Sequence, residues 1–310
     1  MRKVLLAIIL VPVLAYGAVK GYVWYDFKGK VDDFAAQIAP FAELRYDHIT
    51  SDLFNGSVGI EGIALVPRMT GEAIPVEALR LRAPSILYFM NFEDQVRKHG
   101  VPTLLGVSVR GLELDMQGGL FSMMEQMAAM QAQQGGGPVG GSMQSFDALG
   151  CGDIERFGPQ QLVAMGYGVL TTDADIHYEF DPEGKRFDVH MDLDIDRMAR
   201  MQVDTRFRFD VQAAKRGAGA AKPPELRRLS IDYQDAGYND RVIEFCSGQA
   251  GVKPEEYVER HITAAREFLK RKGVIFSDDV VEQYRKYMTR SGDMTIAMYP
   301  SGPVNPMLIQ

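Results

Sequence analysis

The sequence predicts an α+β fold: a long, curved, mostly antiparallel β-sheet with helices packed on one side, and an N-terminal transmembrane helix apart from it. Three observations carry this. Apolar and polar residues alternate with period two over strand-length segments between residues 176 and 211, as expected for an antiparallel sheet with one wet face. The pattern V-x-[IV]-x-G-[IL]-x-L occurs twice, at 58–65 and 107–114. The C-terminal quarter switches to helical periodicity, with Val258, Ile262, Ala265 and Leu269 on one stripe.

The chain opens with Met1-Arg2-Lys3, followed by sixteen uncharged residues from Val4 to Val19. A terminal, strongly apolar run led by basic residues is an export signal. Spanning a bilayer takes about twenty residues. Counting through Tyr25 supplies them, with Lys20 snorkelling and Tyr22, Trp24 and Tyr25 forming an interfacial belt. The competing reading is a cleaved signal peptide, since Ala15-Tyr16-Gly17 places small residues at the −3 and −1 positions. In either case the body lies outside the cytoplasm, and an uncleaved anchor gives a single-pass inner-membrane protein with its body in the periplasm.

Four segments are expected: 1–25, signal anchor; 26–119, a β-rich N-terminal lobe; 120–150, a Met/Gly-rich helix and flexible linker; and 151–310, an antiparallel sheet ending in two helices. Residues 31–43 read as helical up to Pro40. Tyr46–Pro67 reads as a hairpin turning at Asn55-Gly56, because Asn-Gly between alternating runs supplies the positive φ angles of a tight turn. Residues 76–83 form a strand. A helix follows at 85–99, capped by Ser85 and stopped by Gly100, and a strand returns at 104–115. In both copies of the repeat the apolar residues change parity at the glycine. Gly62 and Gly111 are therefore expected at β-bulges that bend the strands and keep both halves on one core. The residues on that concave side, Val58, Ile60, Ile63, Val107, Val109 and Leu112, are the expected ligand-facing set.

Six of the seventeen methionines fall between Met116 and Met143, beside the linker at 135–142. A short helix at 159–166 leads into the alternating strands. A second linker covers 212–224. Leu226–Asp235 and Arg241–Cys246 read as a strand pair. The C-terminal helices run from Pro254 to Lys272 and from Ser277 to about Thr289, with Val280, Val281, Tyr284 and Met288 inward. A last strand covers 294–299.

Composition excludes several classes. A formal net charge of −7, from 34 basic and 41 acidic residues, argues against nucleic acid as the partner. Two cysteines cannot build a zinc ribbon. Cys151 and Cys246 are expected to pair in an oxidising compartment, with free thiols as the alternative. Asp188, His190, Asp192 and Asp194 share one strand face, but steps of about 7 Å spread such groups along a line. They read as a charge-paired wet face with Arg206 and Arg208 opposite, and no metal or cofactor is expected. No nucleophile elbow, phosphate loop or paired-histidine motif is present. The chain is read as a non-enzyme.

The segments RYDHITSDLFNGSVGIEGIALVP, VEALRLRAPSILYFM, LSIDYQDAGYNDRVIEFCSGQAGVKPEEYVE and GDMTIAMYPSGPV resemble the YdgA-like and AsmA-like envelope proteins of Gram-negative bacteria. The resemblance implies a periplasmic β-rich body on a single inner-membrane helix. For the AsmA-like branch it also implies lipid held on the apolar inside of a curved sheet. The functional expectation is therefore binding of lipid or another apolar ligand on the sheet. The alternative is an assembly partner that binds another envelope protein.

Overall fold

The computed structural model describes residues 2–99, 102–123, 126, 145–181, 183–208, 225–290 and 292–300. It is α+β, with a ten-stranded antiparallel sheet and helices. Helix α1 (Arg2–Ile38) leads into β1 (Ala42–Arg45), β2 (His48–Asp52), β3 (Ser57–Pro67) and β4 (Ile74–Arg82). Helices α2 (Leu87–Met90) and α3 (Phe92–His99) precede β5 (Leu104–Asp115). After a 3-10 turn (Phe146–Ala148) and α4 (Pro159–Ala164) come β6 (Val169–Asp181), β7 (Arg186–Ile195), β8 (Ala199–Arg208) and β9 (Glu225–Asp235). Helices α5 (Tyr238–Ala250), α6 (Pro254–Arg271) and α7 (Asp278–Arg290) and strand β10 (Asp293–Met298) close the chain. The strand order is β1-β3-β4-β5-β6-β7-β8-β9-β10, with β2 beside β1 on the same edge of β3. Because β5 pairs with β6 along its length, one sheet joins the segments on either side of the Met/Gly-rich stretch. In that stretch residues 120–123 and 126 are helical and 146–148 form the 3-10 turn, while 124–125, 127–144 and the 212–224 linker lie outside the described residues.

The N-terminal helix is not apart from the body. Val23, Phe27 and Val31 recur at intervals of four and form an apolar stripe. Val23 packs on Val58 and Ile86, and Val31 on Ile60 and Ile63. Lys30 reaches the carbonyls of Phe89 and Met90 and ties α1 to α2. Among the described residues no helix is long and apolar enough to cross a membrane.

The two glycines differ. Gly111 sits at a β-bulge: Val109 opposes Ala174 and Leu112 opposes Thr172, so two residues of β5 face one of β6. Its φ is +57°, and its N–H donates to Asp173 Oδ1 at 2.7 Å. Gly62 also has positive φ, +65°. There, however, the β3–β4 register runs through unchanged, Glu61 to Ala78 and Ile63 to Val76. Gly62 is a left-handed kink without an inserted residue. β4 changes face together with β3, so no extra residue is needed. The kink falls opposite Asp47, where the edge splits into β1 and β2.

Three other expectations are corrected. The 85–99 helix is two helices broken at Asn91, and Ser85 is not its cap: the cap position before Leu87 is Ile86, which makes no side-chain cap bond. Arg241–Cys246 is helix, part of α5. Asp235 accepts the N–H groups of Gly237 and Asn239, turning the chain after β9. Asn239, Val242 and Cys246 then bury a helical stripe. Val280 of α7 points outward, while Met288 is buried. The expected disulfide is present: Cys151 and Cys246 are bonded and fully buried, with 95 residues separating them in sequence.

Candidate functional site

Directly opposed residues of an antiparallel sheet share a face. The register therefore draws continuous rows across the strands. One row runs Val58, Leu81, Val107, Ile176, Met191, Val203, Ile231, Ile296, from β3 to β10. Every member is apolar. The next row in one direction begins Ile60, Leu79, Val109, and in the other Leu105, Tyr178, Val189. Tyr178, Phe187 and Phe207 place aromatic rings on this face, with centroids 4.9 Å and 6.4 Å apart in sequence.

Among the described residues helices cover this face at three places. Where β5, β6 and β7 run toward α4 and α5, Leu114, Leu170 and Ile195 pack against Met165, Val242 and Cys246. At β2–β4 it lies beneath α1 and α2, and Val58 is only 1% exposed. Toward the end of β9, Tyr287 of α7 packs edge-on against Tyr233. Between these, Val107 is 43% exposed, Ile176 48% and Ile296 44%, and the rest of the row is half-buried. No described helix packs on that stretch. From Val107 to Ile296 it crosses five strand spacings, about 24 Å. One leaflet of a bilayer core is about 15 Å thick, so a whole acyl chain fits along it.

The structure thus divides the six expected ligand-facing residues. Val58, Ile60 and Ile63 are buried under α1 and belong to the core. Val107, Val109 and Leu112 lie on the same face of β5, Leu112 through the Gly111 bulge. Sequence reasoning placed Ile176, Met191 and Val203 on an apolar face but did not join that face to the repeat. The shared signal was the parity of the apolar residues.

The opposite face is polar. Arg206 Nε donates to Asp188 at 2.7 Å, Arg186 reaches the same carboxylate at 3.1 Å, and Arg200 pairs with Asp192 at 3.0 Å. His177 and His190 stack in a hollow of about 380 Å³, with ring centroids 4.9 Å apart and planes 21° from parallel. The Nδ1 of His177 bonds Asp175 and that of His190 bonds Asp204. Among the described residues no group of three or more His, Cys, Asp or Glu side chains is arranged to hold a metal.

The buried titratable cluster lies elsewhere, between α5, α6 and the disulfide loop. His261 is 1% exposed. Its Nδ1 donates to the Leu149 carbonyl at 2.9 Å, and its Nε2 accepts from the Tyr284 hydroxyl at 2.7 Å. Both bonds suit the neutral ring. Burial pushes its pKa below the ordinary histidine value, against a smaller upward pull from the Leu149 carbonyl and Asp147. Burial likewise raises the pKa values of Tyr238, Tyr257 and Tyr284 and keeps them protonated. A folded-state pKa below the unfolded value of about 6.5 means the unfolded chain takes up the proton first. Stability is then expected to fall as pH drops from about 6.5 toward the folded-state value. Denaturant midpoints between pH 7.5 and 5.5 measure this, and His261→Gln, which cannot titrate, is expected to flatten the slope.

Comparisons with known proteins add little chemistry. A family model described as "Uncharacterized protein" matches residues 185–310, from the start of β7 onward. No curated protein matches the chain.

Proposed function

We propose that this protein is an envelope protein, anchored in the inner membrane by α1, that holds a lipid acyl chain or a similar apolar ligand along the stretch of a curved sheet face that no described helix covers. The observation that carries this is the apolar row from Val107 to Ile296. Soluble proteins seldom leave a contiguous apolar patch of this kind bare unless something binds there. The terminal apolar run and its basic leader support the anchor. The fully buried disulfide fits a periplasmic body, because such bonds persist in oxidising compartments. The resemblance to YdgA-like and AsmA-like proteins points the same way. The protein acts here as a binder instead of a catalyst: both nitrogens of its most buried histidine are consumed by internal bonds.

The test is native mass spectrometry with lipid extraction on the full-length chain, purified from envelope membranes. A phospholipid retained at fixed stoichiometry is expected. Val107→Asp and Ile176→Asp alter exposed positions and are expected to abolish retention while the fold persists. If the wild-type protein carries no lipid, or if both variants keep it, the reading fails. A second reading, an assembly partner, draws support from β10. It is the last strand of the sheet order, and Ile296 and Met298 are both substantially exposed on it. Such an edge can pair with a strand of another envelope protein.

A further inference from the structure

The β2–β3 hairpin stands beside α1 in a way that bears on how the chain would sit in a bilayer. Asp52 orders the tip: its carboxylate accepts the N–H groups of Phe54 and Asn55, each at 3.0 Å, and the Asn55 side-chain amide at 2.7 Å. This turn throws Phe54 outward, where it is 86% exposed. The one ring it stacks on among the described residues is that of Tyr16 on α1, with centroids 5.8 Å apart and planes within 19°. Leu53, next to it, packs into the Val23, Val58 and Ile86 cluster. The body therefore lies along α1 from Tyr16 onward.

Tyr16 lies within the uncharged apolar run from Val4 to Val19 that the anchoring reading sets in the bilayer. The ring stack therefore holds the hairpin tip beside the C-terminal turns of that run, where an element can sink about 5–10 Å into the headgroup and acyl boundary. We infer that the hairpin tip, led by Phe54, is itself embedded in the membrane interface beside α1. Phe54 and, about 9 Å further along α1, Tyr22, which is 58% exposed, supply the aromatic belt on this side. Asp52 tolerates the position because its oxygens are occupied by the turn. Lys20 can extend its ammonium along the helix to the headgroups. The inference rests on the anchoring role proposed for α1.

The experiment uses the full-length chain in nanodiscs of phosphatidylcholine and phosphatidylglycerol. The native cysteines are paired and buried, so an introduced thiol is the sole labelling site. Three single variants, Phe54→Cys, Leu6→Cys and Glu183→Cys, are labelled with an environment-sensitive nitrobenzoxadiazole probe. Depth is read by quenching from spin-labelled acyl chains. A blue-shifted, several-fold brighter and quenchable probe at residues 6 and 54, with neither effect at residue 183, supports the inference. If residue 6 is quenched and residue 54 behaves as residue 183 does, the anchor stands and the embedded hairpin is overturned. If residue 6 is also water-exposed, the anchor itself fails and the inference falls with it.

Discussion

Removing the disulfide, by Cys151→Ala together with Cys246→Ala, is expected to cost about 4–5 kcal/mol of stability. Cross-linking two positions restricts the unfolded chain, and the restriction grows with the loop enclosed. Here 95 residues separate the two cysteines, near the upper end of that scale. The bond also fastens an irregular segment to the helical layer. Cys151 follows the loop whose Leu149 carbonyl receives His261 of α6, while Cys246 lies in α5. Without the bond, the loop is held to α5 and α6 mainly by that hydrogen bond, by Tyr238 to Asp147 at 3.3 Å, and by contacts such as Phe157 on Phe245. The denaturant midpoint should fall. The slope m should rise, because an unfolded chain without the cross-link exposes more surface. Equal midpoints for the wild type and the double variant would show that the loop is held by packing alone. Reductant without denaturant should act slowly on the wild type, because both sulfurs are fully buried.

Much of the sheet was legible because its physics is local. The alternation through β6, β7 and β8 placed its described side chains on their correct faces, residues 209–211 lying outside the described residues, and the Asn55-Gly56 turn marked the first hairpin. The parity change around Gly111 announced a bulge, and the register contains one. The same signal at Gly62 was ambiguous, because a parity change in one strand cannot reveal whether its neighbour changes too. β4 does, through Val76 and Leu79, and the register stays whole. Arg241–Cys246 misled for a similar reason. Val242, Ile243, Phe245 and Cys246 are apolar enough for a strand. Their helical stripe emerges only when Asn239 is included and Asp235 is seen closing the turn before them. The ligand-facing set failed in part because periodicity shows which face is apolar but not what covers it. The cover over Val58 and Ile60 is α1, whose Val23 had been counted within a membrane segment. The row from Val107 to Ile296 needed the register of six strands, which no single segment encodes.

Gly111→Val is expected to destabilise by about 3 kcal/mol or more, and to cost more than the same change at Gly62. Both positions hold left-handed backbone, which alone penalises a side chain by about 1–2 kcal/mol. The surroundings then separate them. A Cβ on Gly111 would lie 2.8 Å from the Cβ of Glu77, an atom fixed to the β4 backbone. Relief requires β4 and β5 to part, and the Gly111 N–H would lose its geometry to Asp173. At Gly62 the obstructing atoms are the Asp47 carboxylate, which can swing toward solvent, although its Cβ also lies close, at 2.9 Å. Gly248→Ala is the internal control: it lies inside α5 with nothing within 4 Å, and replacing a mid-helix glycine should be neutral or stabilise by up to about 1 kcal/mol. Chemical denaturation of the three variants gives the order directly. The bulge also sets the site. If Gly111→Val is accommodated by losing the extra residue, the chain beyond it must rotate, carrying Leu112 and Leu114 to the wet face. The variant should then bind apolar dyes more strongly while retaining less lipid. A Gly111→Val protein with wild-type stability would mean that the left-handed kink is a passive feature, and that the face from β5 onward does not depend on it.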